Sequence, residues 1–323
     1  IDKDLHIICV YEKNKLLAIA PFMKSKVFCR GIPATVISLM ANGHSPYSDV
    51  IFNGTVNPEK ISEILELLIK TNSENILVLA KIPENSPTYS HLTAYSRAYG
   101  YRYGITNSLV TPIIKLNHSW DDFYKFRSRK FRKSMKNKIN RFTKETDFNI
   151  SREVITSRDH PTLKQIVEIS KKSWKTQIKN DLGSNSTGRE FLFGLVDAFG
   201  DMQAIQVWIV RKSDNPVAYE IHLIFDDVVY PLRADYDESF KQYSPGSILE
   251  YTALKALFDE KTVSVYDSCA DDYWYLNNWT NEFRRLFNIE IFNNNFKSLF
   301  LYHLEFGVIP FLRVIRDKLK KQS

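Results

Sequence analysis

Residues 217–237, VAYEIHLIFDDVVYPLRADYD, combine ionisable side chains with the alternating pattern of two β-strands. A two-residue turn at Asp226 and Asp227 predicts a hairpin, so residue pairs can be counted outward from Phe225 and Val228. This register places four ionisable side chains on one face of the sheet: Glu220, His222, Arg233 and Asp235. Carboxylates and an imidazole that line a cleft can exchange protons with a substrate, so this face predicts acid–base chemistry.

Two alternatives remain open for this face. Glu220 and Arg233 can form a purely structural cross-strand ion pair, with His222 as a hydrogen-bonded neighbour. A register shift of one residue would instead swap the two faces. We expect a cleft, because four ionisable groups on central strands are costly unless they are paired or solvated.

The hairpin is followed by a helix that is predicted to begin at Ser-Pro-Gly-Ser. Serine suits the N-cap, proline suits the first helical position, and glycine allows a ligand to approach the backbone. Free N–H groups and the positive end of the helix dipole favour an anion. We therefore predict a phosphate-binding segment made of Ser244, Pro245, Gly246, Ser247 and Ile248. A capped helix without a ligand is the alternative.

A third polar segment, residues 266–283, follows the next predicted strand. That strand ends on Asp267, and the segment after it is crowded with aromatic residues. Such aromatics are more often part of a core or a lid than catalytic. A tyrosine here, Tyr275 or Tyr273, could still protonate a leaving group. Cys269 is interpreted as a small buried residue.

The net charge of +7 is concentrated in one stretch. Residues 125–144 contain ten Lys or Arg and no acid. Such a segment suits a polyanion or a phosphate-rich partner, although a solvated helix face is equally compatible with the charge pattern. Clustered charge alone therefore does not identify the partner.

Cysteine and histidine usage argues against two classes of site. Cys9, Cys29 and Cys269 are odd in number and far apart, which indicates reduced thiols and a cytoplasmic protein. No paired His or Cys spacing appears, so we predict no metal. We also expect no transmembrane segment, since we identify no apolar run of the length that a membrane span requires.

The order of predicted elements defines the fold class. The first third alternates strands and helices and closes near Leu116, and a basic helix follows. From Phe148 onward the order is β-α-α-β-β-β-α-β-α-β, with three strands in sequence at its centre. Because those strands lack crossovers, the sequence predicts a mixed α/β sheet and excludes a doubly wound parallel one.

Several motifs carry a resemblance to a known family. They are SDVIF at 48–52, KFRKSMKNKINRF at 130–142, SWK at 173–175, ADYDESFKQYSPGSILEY at 234–251 and YDSCADDYWY at 266–275. Together with the element order they resemble the GNAT acyltransferase superfamily. The closer similarity is to its double-GNAT branch, which includes CelD/BcsL-type acetyltransferases and Fem-type aminoacyl transferases. The resemblance spans nearly the whole chain.

The resemblance implies two tandem GNAT-like halves, the first degenerate. The implied domains are residues 1–117, a basic connecting helix at 118–147, and a catalytic half at 148–323. The implied activity is N-acyl transfer from a thioester, with acyl-CoA such as acetyl-CoA as donor, to a small-molecule or sugar amine in cell-envelope, polysaccharide or secondary metabolism. The implied catalytic residues are Asp235, Glu220, His222 and Tyr275. The implied substrate contacts are Arg233, Tyr236, Trp174, Lys175, Asp267 and Tyr273.

Two departures from the family pattern keep the donor open. The phosphate loop YSPGSI has one glycine where the family has two small residues, and Asp267 is followed by Ser-Cys-Ala rather than glycines. An acyl carrier protein or an aminoacyl-tRNA bound by the basic helix therefore remain alternatives. A third hypothesis is a non-catalytic GNAT-like binding module, and the oligomeric state is left open.

Overall fold

The computed structural model describes residues 3–41, 45–54, 56–71, 76–98, 100–145, 147–270 and 275–320. The chain divides into two compact units. The first unit contains residues 1–110 and 284–323, and the second contains residues 111–283. The predicted domain limits stay a prediction.

The strands in chain order are β1 (Lys3–Glu12), β2 (Lys15–Cys29), β3 (Ile32–Leu39), β4 (Ile51–Phe52), β5 (Ile76–Pro83), β6 (Arg102–Lys115), β7 (Phe148–Val154), β8 (Ile205–Lys212), β9 (Asn215–Phe225), β10 (Val228–Tyr236), β11 (Val265–Asp267) and β12 (Glu282–Phe292). The α-helices are α1 (Pro58–Thr71), α2 (Pro87–Ala98), α3 (Trp120–Lys125), α4 (Arg129–Thr143), α5 (Pro161–Lys171), α6 (Ser186–Phe199), α7 (Pro245–Glu260), α8 (Phe296–His303) and α9 (Ile309–Lys320). Short 3₁₀ helices occupy Trp174–Ile178, Glu238–Tyr243 and Leu276–Asn278.

The first unit is a mixed sheet in the order β1-β2-β3-β5-β12-β6, with β4 on β2. Its main core joins the inner sides of β2, β3 and β5 to α1. The apolar stripe of α1 buries Ile61, Ile64, Leu65 and Leu68, but Leu67 is 47% exposed. A position two residues after Leu65 turns about 200° around the helix, which explains the exposure of Leu67.

The second unit is a mixed sheet in the order β11-β10-β9-β8-β7, and the end of β6 pairs with β11. One face packs against α5 and α6 through a core that includes Tyr219 and Ile221. The other face packs against α4 and α7 through Trp208, Ala218 and Ile248. The three central strands are antiparallel neighbours, and β10 and β11 are parallel. The predicted mixed α/β class is confirmed.

The hairpin turn and its first pairs are confirmed, but the predicted register fails beyond Pro231. Asp226 and Asp227 both have positive φ, and Phe225 pairs with Val228. An irregularity between Pro231 and Arg233 then adds one residue to β10. Proline has no N–H for the ladder, which favours a bulge at this point.

The bulge changes which side chains share a face. Arg233 now lies opposite Ile221 and Asp235 lies opposite Tyr219, whereas the prediction paired Arg233 with Glu220. Directly opposed residues point to the same side of a sheet. The prediction of one shared face was therefore wrong: Arg233 and Asp235 lie on the α5 face, and Glu220 and His222 lie on the α7 face.

Two further element predictions need correction. The last helix in the predicted element order is only a 3₁₀ turn at Leu276–Asn278, and β12 begins at Glu282. The sequence analysis also missed α8. The helical run Phe296–Arg316 is long and apolar enough, by length and composition only, to cross a membrane. The expectation that no apolar run is long enough to span a membrane was thus wrong. Scattered charges such as Lys297 and Arg313 interrupt the apolar residues of this run in the sequence.

Candidate active site

Asp235 is the centre of a buried ionic cluster on the α5 face. Its side chain is fully buried, and one carboxylate oxygen accepts hydrogen bonds from Ser170 Oγ (2.8 Å), Tyr219 Oη (2.6 Å) and Arg233 Nε (2.9 Å). Lys175 Nζ lies 2.6 Å from the other oxygen. We call Asp235, Arg233, Lys175, Tyr219 and Ser170 the Asp235 cluster.

The partners of Asp235 are themselves held in place. Arg233 Nη2 donates to the Asn180 carbonyl (2.6 Å), and Lys175 Nζ donates to the Ala234 carbonyl (2.8 Å). Burial lowers the pKa of Lys175 and, together with Asp235, raises the pKa of Tyr219 well above its usual value. Both carboxylate oxygens therefore face cations or neutral donors. This arrangement suits a positioning role, and the predicted role of Asp235 as a base stays a prediction.

Glu220 and His222 form a second cluster on the α7 face. His222 Nε2 lies 2.8 Å from Glu220 Oε1, and Tyr266 Oη donates to the same oxygen at 3.1 Å. The His222 ring is fully buried and meets the Tyr266 ring edge-on. The bulge separates this group from Arg233, so the cross-strand ion pair between Glu220 and Arg233 does not form.

Several buried polar atoms on this face have no partner among the described residues. They include His222 Nδ1 and, on the neighbouring strand, Gln206 Oε1 and Trp208 Nε1. Gln206 lies opposite His222, and Trp208 lies opposite Glu220. Buried polar atoms are nearly always hydrogen-bonded, so an unpaired group of this kind indicates a place for a ligand or water.

Glu250 of α7 is a site residue that the sequence analysis missed. Desolvation and the nearby charge of Glu220 raise its pKa from the usual 4.5 to about 8, against smaller opposing effects of a hydrogen bond from Trp279 and the charge of Lys138. Glu250 is therefore protonated at neutral pH and can donate a hydrogen bond or a proton. Its sequence signal is an acid early in a helix whose other positions are largely apolar.

A small cavity lies beside Glu250. Its volume is about 10 Å³, enough for a single water molecule. The lining residues are Pro112, Ile114, Glu250, Tyr266, Ser268, Leu276, Trp279 and Thr280. The Oγ atom of Ser268 has no partner in the described part of the chain. The cavity thus joins the carboxyl end of β11 to the first turns of α7.

The start of α7 partly matches the predicted phosphate seat. Ser244 is in the left-handed conformation with φ of 55°, and its side chain makes no capping bond, which corrects the expectation that it caps the helix. Ile248 N donates to Ser244 O at 3.1 Å, while the N–H groups of Gly246 and Ser247 have no acceptor within the described ranges. The nearest atom to an added side chain on Gly246 is a Tyr236 ring carbon at 3.6 Å, so Gly246 is not required by crowding.

Helix α4 supplies a cation to this end of α7. Lys138 Nζ donates to Ser247 Oγ at 2.8 Å, and burial lowers the pKa of Lys138. Arg141 Nη1 donates to the Gln242 carbonyl at 2.7 Å. One side of the basic helix α4 thus contacts the predicted phosphate-binding segment. Sequence reasoning predicted both elements but not their contact.

The outer face of α4 remains exposed and basic. Four of its basic side chains and the C-cap lysine are exposed and have no acidic partner among the residues the structure describes: Arg129, Lys130, Lys133, Lys136 and Lys144. The predicted single basic helix is in fact divided between α3 and α4, because Ser128 caps α4 by accepting from Phe131 N.

Strands β10 and β11 diverge beside these groups. They pair in parallel only at Val228–Val265 and Val229–Tyr266. On its other side, β11 pairs with β6 from Val265 to Asp267, and β10 continues to Tyr236 without β11. Strand β10 thus leaves β11 after two residue pairs and leads through the 3₁₀ turn at Glu238–Tyr243 to α7.

The other predicted site residues are dispersed. Trp174 is 49% exposed at the start of the 3₁₀ helix beside the Asp235 cluster. Tyr236 packs on the α7 face, where burial raises its pKa. Asp267 is fully buried and accepts from Cys269 N at 3.1 Å. Tyr275 is 45% exposed and near enough to Tyr266 to affect its pKa. Tyr273 lies outside the described residues.

Part of the chain matches a known protein family. Residues 129–277 match the family model described as the acetyltransferase (GNAT) domain. This segment of the chain is similar to GNAT acetyltransferase domains. This confirms the predicted resemblance at the level of the superfamily, while the CelD/BcsL branch stays a prediction. A search of curated proteins found no match. Within the described residues, no cluster of three His, Cys, Asp or Glu could hold a metal ion.

Solved structures share the fold over most of the chain at low sequence identity. The crystal structure of FemX is 12% identical with a TM-score of 0.58, covering 93% of this chain and 90% of FemX. The C-terminal domain of a putative lysylphosphatidylglycerol synthetase from Agrobacterium fabrum is 10% identical with a TM-score of 0.57, covering 92% and 86%. A conserved protein of unknown function from Bacteroides thetaiotaomicron is 12% identical with a TM-score of 0.54, covering 85% and 82%.

Proposed function

We propose that the GNAT domain is an N-acyltransferase that moves an acyl group from acyl-CoA to an amine. The observation that carries the proposal is the divergence of β10 and β11 beside the α7 N-terminus, with unpaired buried polar groups at its edge. A thioester arm can enter such a divergence, and its phosphates can reach the free N–H groups of the helix. The resemblance of the sequence motifs points to the same reaction.

The donor seat has three components. The N–H groups of Gly246 and Ser247 offer hydrogen bonds to a pyrophosphate, and Lys138 offers a positive charge next to Ser247. An anion would also restore the pKa of Lys138, which burial now lowers. These three components compensate for the missing second glycine of the family pattern.

The chemistry of transfer needs one base and one acid. The acceptor amine loses a proton to the Glu220–His222 pair, directly or through water, and its nitrogen attacks the thioester carbonyl. The carbon–sulfur bond then breaks, and the thiolate takes a proton from Tyr275 or from Glu250, which is protonated at neutral pH. The products are an amide and free CoA. Asp235 is assigned to holding β10 and Lys175 in position.

Donor binding tests the phosphate seat. We expect acetyl-CoA to raise the midpoint of thermal unfolding of the full chain. Lys138→Ala should weaken acetyl-CoA binding by about tenfold in calorimetry, since an ion pair with a phosphate is lost. Lys133→Ala is the matched control, because Lys133 is exposed on the outer face of the same helix. Equal affinities of the two variants would refute the seat.

Turnover tests the base. Glu220→Gln should lower amine-dependent release of CoA thiol by about a hundredfold while acetyl-CoA affinity changes less than about twofold. The assay offers a panel of sugar amines, amino acids and peptide amines and identifies the amide by mass spectrometry. Glu260→Gln, at the far end of α7, is the control. Wild-type turnover in Glu220→Gln would exclude Glu220 as the base, and no product with any amine would favour a binding module.

A second candidate donor is aminoacyl-tRNA, which the exposed basic face of α4 favours. Its binding would depend steeply on salt, because lysines and arginines release counterions from the nucleic acid. Lys130→Ala with Lys133→Ala should then weaken tRNA binding and leave acetyl-CoA binding unchanged. An effect of Lys138→Ala on acetyl-CoA binding would therefore support acyl-CoA as the donor. An effect of the Lys130→Ala, Lys133→Ala double variant on tRNA binding would support aminoacyl-tRNA. The proposed setting is cytoplasmic, with an acceptor from envelope or polysaccharide metabolism.

A further inference from the structure

The C-terminal helical run of the first unit exposes an unusual number of large apolar side chains. It comprises α8, a π turn at Leu304–Val308 and α9. Phe296 is 87% exposed and Phe311 is 65% exposed. The other large apolar residues exposed along the run are Phe300, Val308, Leu312, Val314 and Ile315. Single exposed apolar residues are ordinary, but a contiguous patch marks a binding surface.

The first half of this run is fixed to the protein by its other side. Leu301 is buried against Phe292, and Phe306 packs beside it. A Cβ atom on Gly104 would lie 1.9 Å from the Phe306 ring, so the ring rests directly on the backbone. Arg30 holds Glu305 through two bonds of 2.7 and 2.8 Å. A helix whose first half packs against the folded unit in this way cannot cross a bilayer.

The second half leaves the folded unit. Residues 311–316 are all exposed. Val308, Phe311, Leu312 and Ile315 recur at the spacing that forms one stripe along a helix. Pro310 follows the π turn, and proline commonly accompanies such irregular turns since it removes one helical hydrogen bond. The apolar residues of this stripe pack against no core among the described residues. Whatever covers them must therefore lie outside the described chain.

The charge around the stripe identifies the kind of partner. Residues 296–323 contain six Lys or Arg and two acids. One of the acids, Glu305, is already paired with Arg30. Lys297, Arg313 and Arg316 are exposed. A second copy of the chain would bring like charges together, whereas an anionic lipid surface complements both the apolar stripe and the basic residues.

We propose that α9 and the outer side of α8 lie in the headgroup layer of an anionic membrane. The apolar stripe enters the boundary between headgroups and acyl chains. Arg316 lies at the flank of the stripe near the lipid phosphates, and Arg313, on the solvent side of α9, adds positive charge near the surface. The inference rests on the first unit alone and is independent of the reaction proposed for the GNAT domain.

Vesicle flotation of the full chain tests the proposal. We expect binding to vesicles with 30% phosphatidylglycerol and little binding to pure phosphatidylcholine, at about 0.15 M salt. Phe311→Asp with Leu312→Asp should weaken binding by at least about tenfold. The matched control is Leu67→Asp with Met202→Asp, which places the same charges on exposed apolar positions elsewhere. Arg313→Glu with Arg316→Glu should weaken binding to the anionic vesicles by about tenfold or more.

The same variants decide against the proposal if it is wrong. Absence of vesicle binding by the wild-type chain overturns it, and so does equal binding by the two double-aspartate variants. Loss of binding in Lys130→Glu with Lys133→Glu, but not in Arg313→Glu with Arg316→Glu, would assign the lipid contact to α4. A wild-type dimer that the Phe311 and Leu312 changes convert to a monomer, without vesicle binding, would assign the stripe to a second copy.

Discussion

Asp235→Asn is expected to lower the free energy of unfolding by about 3–5 kcal/mol. The substitution keeps the size of the side chain but removes the carboxylate that Arg233 and Lys175 share. Two cations that are at most 18% exposed would then lack their counter-charge, and an unpaired buried charge costs several kcal/mol. Urea unfolding of the full chain, followed by fluorescence, measures the loss as a lower midpoint.

Asp197→Asn is the matched control for this measurement. Asp197 also accepts a bidentate arginine, Arg158, but its side chain is 53% exposed. Exposed ion pairs contribute about 1 kcal/mol or less, so this variant should remain close to the wild type. If both variants unfold at the same midpoint, the Asp235 cluster does not stabilise the fold as described. A folded Asp235→Asn that retains acetyl-CoA binding but loses turnover would instead support a role as base.

Glu250 is expected to make stability depend on pH between about 4.5 and 8. Its pKa is raised in the folded state, so the folded chain holds a proton that the unfolded chain releases across this window. The stabilising contribution is fully present below pH 4.5 and is lost as pH rises through about 8. Each pH unit inside the window costs at most about 1.4 kcal/mol.

Glu250→Gln should remove this dependence, because glutamine stays neutral at every pH. The variant should match the wild type at pH 5 and should be the more stable of the two at pH 8.5, by about 2–4 kcal/mol. Urea midpoints at four pH values measure the difference. Glu238→Gln, a change in the 3₁₀ helix before α7, serves as the control and should leave the slope unchanged. A wild-type slope that survives in Glu250→Gln would contradict the raised pKa.

Local sequence chemistry was sufficient for the elements that position the site. Two successive aspartates between two strand-forming segments predicted a two-residue turn, and both aspartates adopt positive φ. Pro245 at a helix start and the absence of crossovers among the central strands similarly led to α7 and to the mixed sheet. These features depend on backbone preferences within a few residues, which the sequence carries directly.

The faces of the sheet were decided by the tertiary structure. Side chains alternate with a period of two, so one inserted residue at Leu232 moved Arg233 and Asp235 away from Glu220 and His222. Pro231 was the available signal, but a proline permits a bulge without requiring one. Leu232 packs beside the α5 and α6 core, and that contact exists only in the folded unit.

The raised pKa of Glu250 and the meeting of Lys138 with Ser247 likewise depend on residues distant in sequence. Lys138 and Ser247 are 109 positions apart, and Glu250 is desolvated in a cavity lined by residues from β6, β11 and the segment after it. By itself the sequence determined which residues carry charge and which elements hold them. Only the packed structure decided which charges meet, because desolvation and ion pairing are set by neighbours in space.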